Sequence, residues 1–410
     1  MRLRRLALLV FGAALILSRG LFAQDEVPDT LGVPAVFPVA AADAVLRLRA
    51  LDRRYVQPDT PVPATPRAIR ALYVNAWAFS SRRLWQLVSL ADSTEINALV
   101  VDVKDDTGCL LYPSAVATAR EIGADDCVHL HSIAARMDTL RAHGIYPIAR
   151  IVVAKDPLLA RGKTEWSIRD RRGGLWRDRQ GTAWVDAYND SVWIYAAQLA
   201  REAVEKGFNE VQFDYVRFPD EPRERLAEAI FPAKKPGDTE RTAVRRHVQL
   251  LVDRVRAAGV PATFDIFALT ASTTGGGDLG IGQVWEDFAS VADVVLPMVY
   301  PSHYYPGAFG FAHPNGEPYR VVHDALRDAQ EKTRDIPNAA TIRPYLQAFT
   351  LGRRKPRYTP VEIREEIRAA EELGITSWVL WNPRSVYQRD ALRPFRTTSH
   401  PSETEAGVGE

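Results

Sequence analysis

Eight apolar runs, each the length of one strand and most of them continuous rather than alternating, constrain this chain more than any other feature. They are Arg70–Trp77, Ile96–Lys104, Tyr146–Val153, Glu210–Phe218, Ala262–Leu269, Asp293–Tyr300, Ile342–Phe349 and Ser377–Trp381. Continuous apolar runs belong to strands covered on both faces. Between most of them lie segments with apolar residues at helical spacing: Arg83–Ser93, Leu130–His143, Ser191–Lys206, Arg241–Ala258, Pro318–Thr333 and Thr359–Leu373. Gly144, Gly207, Gly259 and Gly374 stand just before the next strand, where a helix C-terminus favours glycine. Eight strand–helix units in residues 67–396 predict an α/β fold, a (β/α)8 TIM barrel. The alternative is a doubly wound open sheet, which more often carries a glycine-rich dinucleotide turn after its first strand. Here that position reads Asn75-Ala76-Trp77-Ala78.

The flanks carry different signals. Arg2, Arg4 and Arg5 precede an apolar run from Leu6 to Leu17, and Leu21-Phe22-Ala23 can serve as a cleavage site, so residues 1–23 read as a secretory signal peptide. The run is shorter than the roughly 20 residues that span a bilayer. An uncleaved membrane anchor is the alternative, because Leu21 is larger than a cleavage site prefers. The expected location is secreted or periplasmic, in the cell envelope or beyond it. Cleavage after Ala23 would remove four arginines and take the formal charge from +1 to −3. Residues 24–66 read as a Pro-rich linker around one short helix, Ala41 to Arg54, and residues 397–410 as a polar, disordered tail. A composition of 46% hydrophobic and 25% charged residues is ordinary for a globular protein, and the balanced charge argues against a nucleic-acid partner. Two cysteines, Cys109 and Cys127, exclude a Cys-rich zinc site. In an oxidising compartment they can close one disulfide over the loop after the second strand; otherwise they are two buried thiols, and spacing alone does not choose.

Chemistry is concentrated at the ends of the strands. The fourth run, Glu210-Val-Gln-Phe-Asp-Tyr-Val-Arg-Phe-Pro219, delivers Asp214 near its carboxyl end, where a parallel barrel keeps its reactive groups. A carboxylate inside an apolar strand is costly unless it is paired or used; the plainer role for Asp214 is to anchor a neighbouring loop. Arg217 can hold Asp214 ionised, since an opposite charge lowers a carboxyl pKa. Asp265, in the apolar fifth strand, is the candidate acid partner, or else a deep residue paired with a base. Glu286, and less directly Asp220 and Glu221, are further carboxylate candidates that can equally be surface charges. In Lys104-Asp105-Asp106, alternation puts Asp105 on the opposite face from its neighbours, so Asp105 contacts a sugar hydroxyl or fixes a turn. Tyr300 and His303 after strand six, Gln347 at strand seven and Trp381 at strand eight complete a candidate substrate surface, because aromatic faces with polar tips suit a pyranose. The long loop from Ala154 to Asn189, with Trp166, Trp176 and Trp184, reads as a cleft wall or as a packed loop. Metal signals are poor: His129 and His131 are the one close histidine pair, and no metal site is predicted. The basic run Arg353, Arg354, Lys355 and Arg357 can meet an acidic glycan or the envelope, or be a solvated loop.

Several phrases, in order along residues 70–383, resemble the putative glycoside hydrolase domain family, bacterial barrels first catalogued as a domain of unknown function. They are Val101-Asp-Val-Lys-Asp-Asp106, Phe208 to Pro219, Asp278-Leu-Gly-Ile-Gly-Gln283, Pro297-Met-Val-Tyr-Pro-Ser-His303, Arg343-Pro-Tyr-Leu-Gln347 and Trp378-Val-Leu-Trp-Asn382. The strand-four phrase is also similar to that of wider glycosidase families that place an acid there. The resemblance implies a glycosidase-like barrel acting on a polysaccharide or oligosaccharide without a cofactor, and leaves the sugar open. Gln347 stands where several glycosidase barrels carry an acid, a departure that leaves the second carboxylate to be found elsewhere. The rival functions are a non-catalytic carbohydrate-binding barrel of the envelope and a metal-dependent polysaccharide deacetylase.

Overall fold

The structure is a computed structural model that describes residues 65–353 and 356–395. The expected leader, linker helix and C-terminal tail, with Arg354 and Lys355 of the basic run, lie outside the described residues. Each apolar run forms its strand: β1 (Arg70–Val74), β2 (Ala98–Lys104), β3 (Tyr146–Val152), β4 (Glu210–Asp214), β5 (Ala262–Phe267), β6 (Val294–Val299), β7 (Thr341–Ile342), β8 (Tyr345–Gln347) and β9 (Trp378–Trp381). The order is β5-β4-β3-β2-β1-β9-β8-β6-β7, and a β5–β6 pairing closes the ring. All these ladders are parallel. β7 and β8 are one stave split at Arg343-Pro344, where proline supplies no N–H to the ladder. β6 accordingly pairs with β7 at Val294 and Val295 and with β8 at Met298 and Val299. The result is an eight-staved closed parallel barrel ringed by helices, the expected (β/α)8 architecture.

The ring contains α1 (Arg83–Ser93), α2 (Ala134–Ala142), α3 (Asp190–Glu205), α4 (Glu240–Ala257), α5 (Pro318–Thr333) and α6 (Pro360–Glu372). Their starts are written locally. Thr239 and Thr359 form capping boxes, and Pro318 and Pro360 occupy first-turn positions that need no donor. Gly207 and Gly259, at φ 103° and 84°, follow α3 and α4 in the left-handed region that only glycine enters freely.

Two strands stop earlier than their apolar runs. β1 ends at Val74 because the Asn75 side chain accepts from Ala78 N at 2.7 Å and caps a short helix, Ala76–Ser80. β4 ends at Asp214 because Tyr215 takes φ 54°, which a strand cannot continue. The residues released from both runs become the rim of the barrel mouth.

Inside the barrel the lower filling is aliphatic, from Ala71, Ala98, Val100, Ile148 and Val294. A buried ion pair sits among them, Arg343 Nη1 to Glu210 Oε1 at 2.7 Å, with Thr263 Oγ1 donating to the same oxygen at 3.1 Å. A larger apolar layer lies between strands and helices and contains Trp193, Trp285 and Trp378. The loop after β3 packs rather than lining a cleft: Trp176 and Trp184 are buried, donating to Arg225 O at 3.2 Å and Asp178 Oδ2 at 2.8 Å. Of the two readings of this loop, Trp176 and Trp184 follow the packed one, while Trp166 is half-buried.

Cys109 and Cys127 are joined in a disulfide across a separation of 18 residues, which decides the open alternative. It fastens the loop that leaves β2. A loop of that size stabilises by about 3 kcal/mol through the unfolded chain. Replacing both cysteines by serine should lower the stability measured by urea denaturation by about that amount, and reduction of the native protein should give the same loss.

Candidate active site

The inward positions of β2 to β5 carry an unusual set of side chains for a barrel interior. Strand register places Asp102 beside Arg150 and Arg150 beside Gln212, while Asp214 lies beside Val152. Phe213 pairs with Phe264, so the next inward residues, Asp214 and Asp265, are neighbours on adjacent staves. Arg150 is the hub. Its Nη1 donates to Asp102 Oδ1 at 2.5 Å, its Nη2 donates to Asp214 Oδ2, and its Nε lies 3.5 Å from Asp265 Oδ2. Around this hub every carboxylate has a second tie. The Tyr73 hydroxyl donates to Asp102 Oδ2, and the backbone N of Tyr215 donates to Asp214 Oδ1 at 2.5 Å. Gln212 Nε2 donates to Asp265 Oδ1 at 2.7 Å and to the Tyr345 hydroxyl at 2.6 Å. Trp381 stacks on Tyr73 with centroids 3.8 Å apart and lies 5.1 Å from the Arg150 guanidinium.

One cation and three carboxylates, all buried, cannot all be charged cheaply. Burial raises the Asp102 carboxyl to about 6, with Arg150 pulling the other way. Burial, followed by the neighbouring Asp214, pushes Asp265 well above the usual carboxylate range. Burial opposes the charge of Arg150 too, but Asp102 and Asp214 outweigh it and hold the guanidinium protonated. Asp265 Oδ2 accepts no hydrogen bond, the nearest guanidinium atom, Arg150 Nε, standing 3.5 Å away. The cluster therefore sets Asp265, whose carboxyl is pushed toward its acid form by burial and then by Asp214, beside Asp214, whose two oxygens are tied to a guanidinium and a backbone amide.

The structure thus brings Asp214 and Asp265 together and leaves Glu286 elsewhere. Glu286 sits on the short helix Trp285–Ala289 and faces Lys332 of α5 at 3.5 Å in the helical layer. Glu221 is held by Arg179 at 2.9 Å, and Asp220 is exposed. The cation on Asp214 is Arg150, not Arg217; Arg217 makes no ion pair within 4 Å among the described residues. Asp105 fixes its own loop, accepting from Thr107 N at 2.9 Å and Thr107 Oγ1 at 2.6 Å. The amide of Gln347 is spent on Ser302 N at 3.1 Å and Phe349 O at 2.9 Å, so it braces loops and does not face the cluster with a free group. Tyr300 is buried, and its hydroxyl proton is held by burial and then by the charges of Asp265 and Asp214. His303 is exposed beside it, with rings 5.4 Å apart, and Trp381 is half-buried at the floor of the mouth.

Asp102, Arg150, Tyr73, Gln212 and Tyr345 were not singled out from the sequence. Their signal is there: Asp102 and Arg150 are charges at inward positions of otherwise apolar runs, the same pattern that exposed Asp214. Among the described residues no group of His, Cys, Asp and Glu is arranged to hold a metal ion, and His129 and His131 lie exposed in a loop. A cavity of about 730 Å³ opens at the other end of the barrel, lined by Glu95, Asn97 and Arg393 among others. Barrel chemistry does not use that end.

Removing the hub should show what it balances. Arg150→Met leaves three buried acids without a cation and should cost about 3–5 kcal/mol at pH 7. The deficit should shrink at pH 5, because the stranded carboxyls take up protons; urea denaturation at both pH values checks the sign.

No curated protein matches the chain significantly. A solved structure of a hypothetical protein from Ruminiclostridium thermocellum ATCC 27405 is 36% identical, covering 47% of this chain and 96% of that one, with a TM-score of 0.42. The PgaB (BpsB) glycoside hydrolase domain from Bordetella bronchiseptica is 13% identical, covering 78% of this chain and 95% of that one, with a TM-score of 0.52, a likeness of fold. TtGalA, an alpha-galactosidase from Thermus thermophilus, is 16% identical, covering 80% of this chain and 60% of that one, with a TM-score of 0.46. The family described as "Putative glycosyl hydrolase domain" matches residues 71–387, a span that starts in β1 and ends beyond β9. The chain belongs to that family.

Proposed function

We propose that this barrel is an exported glycoside hydrolase that cleaves a polysaccharide, with Asp214 as nucleophile or water-activating base and Asp265 as general acid. The observation that carries the proposal is the sharing of Arg150 by two adjacent buried carboxyls, one of which, Asp265, is pushed toward its protonated form by burial and then by Asp214. Hydrolysis of a glycosidic bond needs one proton donor and one ionised carboxylate, about 5 Å apart if configuration is retained and roughly 6.5–9.5 Å if it is inverted. Burial beside Asp214 supplies the donor. Tyr300, His303 and Trp381 at the mouth offer faces and polar tips for the sugar ring. Export rests on the arginine-led apolar leader, and the Cys109–Cys127 disulfide is in keeping with an oxidising compartment. A leader left uncleaved would anchor the enzyme to the membrane.

The rival is a carbohydrate-binding barrel without catalysis. It draws on one observation: Asp265 is only 1% exposed, as a purely structural ion pair would be. Reducing-end release from a panel of polysaccharides separates the two. Asp214→Asn should abolish activity on every substrate. Asp265→Asn should lower kcat/KM on polysaccharide by about 10²–10⁴-fold, and far less on aryl glycosides whose leaving group needs no proton. The wild-type rate should fall on the alkaline side as Asp265 loses its proton, and that limb should vanish in Asp265→Asn. Variants that stay folded and keep the wild-type rate, or a wild type that binds glycans without cleaving any, would defeat the assignment.

A further inference from the structure

Arg217 has a task that the carboxylate cluster does not use. It lies three residues beyond Asp214 and is 8% exposed. Its guanidinium is boxed by aromatic rings, 4.6 Å from the centroid of Tyr215, 4.7 Å from Phe267 and 5.4 Å from Trp184. Nη1 donates to Phe218 O at 3.0 Å, and Nε is shielded from water with no hydrogen-bond partner. No carboxylate lies within ion-pairing distance among the described residues; Asp214 and Asp220 act on it only at longer range. Every other deeply buried cation near the mouth has its own acid: Lys104 meets Asp156, Arg150 meets Asp102 and Asp214, and Lys155 meets Asp106, each pair within hydrogen-bonding distance. A buried guanidinium without a counter-charge is expensive, and burial here works against its charge.

We infer that Arg217 receives a carboxylate of the substrate, so that the sugar bound next to Asp214 is an acidic one. This rests on the glycosidase reading for its location and deepens it by naming the substrate class. Nε and Nη2 form the edge of a guanidinium that accepts a planar carboxylate with two parallel hydrogen bonds, and in Arg217 that edge is the one the protein leaves unused. The backbone reinforces the placement. Tyr215 takes φ 54° immediately after Asp214, and its ring centroid lies 4.6 Å from the Arg217 guanidinium and 5.2 Å from the Lys155 ammonium. A non-glycine residue held in the left-handed region costs energy and collects at functional sites. Here the turn sets the Tyr215 ring against the Arg217 guanidinium, one residue beyond Asp214. A carboxylate on a hexuronic acid and one on a lactyl ether of an amino sugar present the same chemistry to this edge.

The test is equilibrium binding by calorimetry, on the full chain, to two probes: an oligogalacturonate and glycan strands containing N-acetylmuramic acid. Each is compared with its carboxyl-reduced, neutral counterpart. The wild type should prefer the acid form of at least one probe, and raising salt should erode that preference. The probe that shows it identifies the source of the carboxylate. Arg217→Met, which keeps much of the packing volume, should weaken the acid form by about 10- to 100-fold and leave the neutral form unchanged. Arg217→Lys should retain part of the preference. Asp214→Asn should keep the preference while losing hydrolysis, so a failure of the catalytic assignment is visible separately from a failure of this one. If Arg217→Met does not fold, the wild-type comparison of acid and reduced probes still decides. Equal binding of acid and reduced forms by the wild type, or an undiminished preference in a folded Arg217→Met, overturns the inference.

Discussion

The guanidinium of Arg150 is the interaction on which the upper half of this barrel depends. Three staves present carboxyl groups to it, and without a shared cation their burial would carry a prohibitive cost in desolvation and mutual repulsion. Arginine suits the position because its planar fork addresses separate acceptors at once and keeps its charge when buried. The cation does not neutralise all three acids. Burial, then the neighbouring Asp214, pushes Asp265 toward its protonated form, and its Oδ2 has no hydrogen-bond partner. In the proposed mechanism that charge imbalance supplies the proton donor beside Asp214.

The scaffold makes this arrangement rigid rather than adaptable. Strand register sets the neighbours, Gln212 and Tyr73 orient the carboxyls, and Trp381 closes the floor over Tyr73. Beyond the strand ends, early termination at Asn75 and Tyr215 converts apolar runs into rim. The left-handed turn at Tyr215 is where the carboxylate cluster and the aromatic box around Arg217 meet, one residue from Asp214 and two from Arg217.

Much of the fold was legible because barrel strands are read from continuous apolar runs, which tertiary context does not disguise. The helices α1 and α5 fall on Arg83–Ser93 and Pro318–Thr333, as the periodicity predicts. Boundaries were less legible where a single residue ended a strand, as Tyr215 does, since φ at a tyrosine leaves no trace in the sequence. At the site, Asp214 and Asp265 were visible as charges in apolar strands. Arg150 and Asp102 carry the same signal but stand in runs whose other features drew no notice. Glu286 misled because its distance from the mouth depends on which way a short helix turns, and its contact with Lys332 is tertiary. The partners of the Gln347 amide, Ser302 N and Phe349 O, were not legible because a strand end looks alike whether its amide faces the mouth or braces a loop.

The protonation state of Asp265 tests the central claim most directly. Infrared difference spectra of the carboxyl carbonyl stretch, wild type against Asp265→Asn at neutral pH, report a protonated buried acid without needing a substrate. A protonated carboxyl band present in the wild type and missing from the variant is the predicted result. Spectra showing only ionised carboxylates, identical in the two proteins, would contradict the account, for the barrel would then hold an ion cluster with no acid to give.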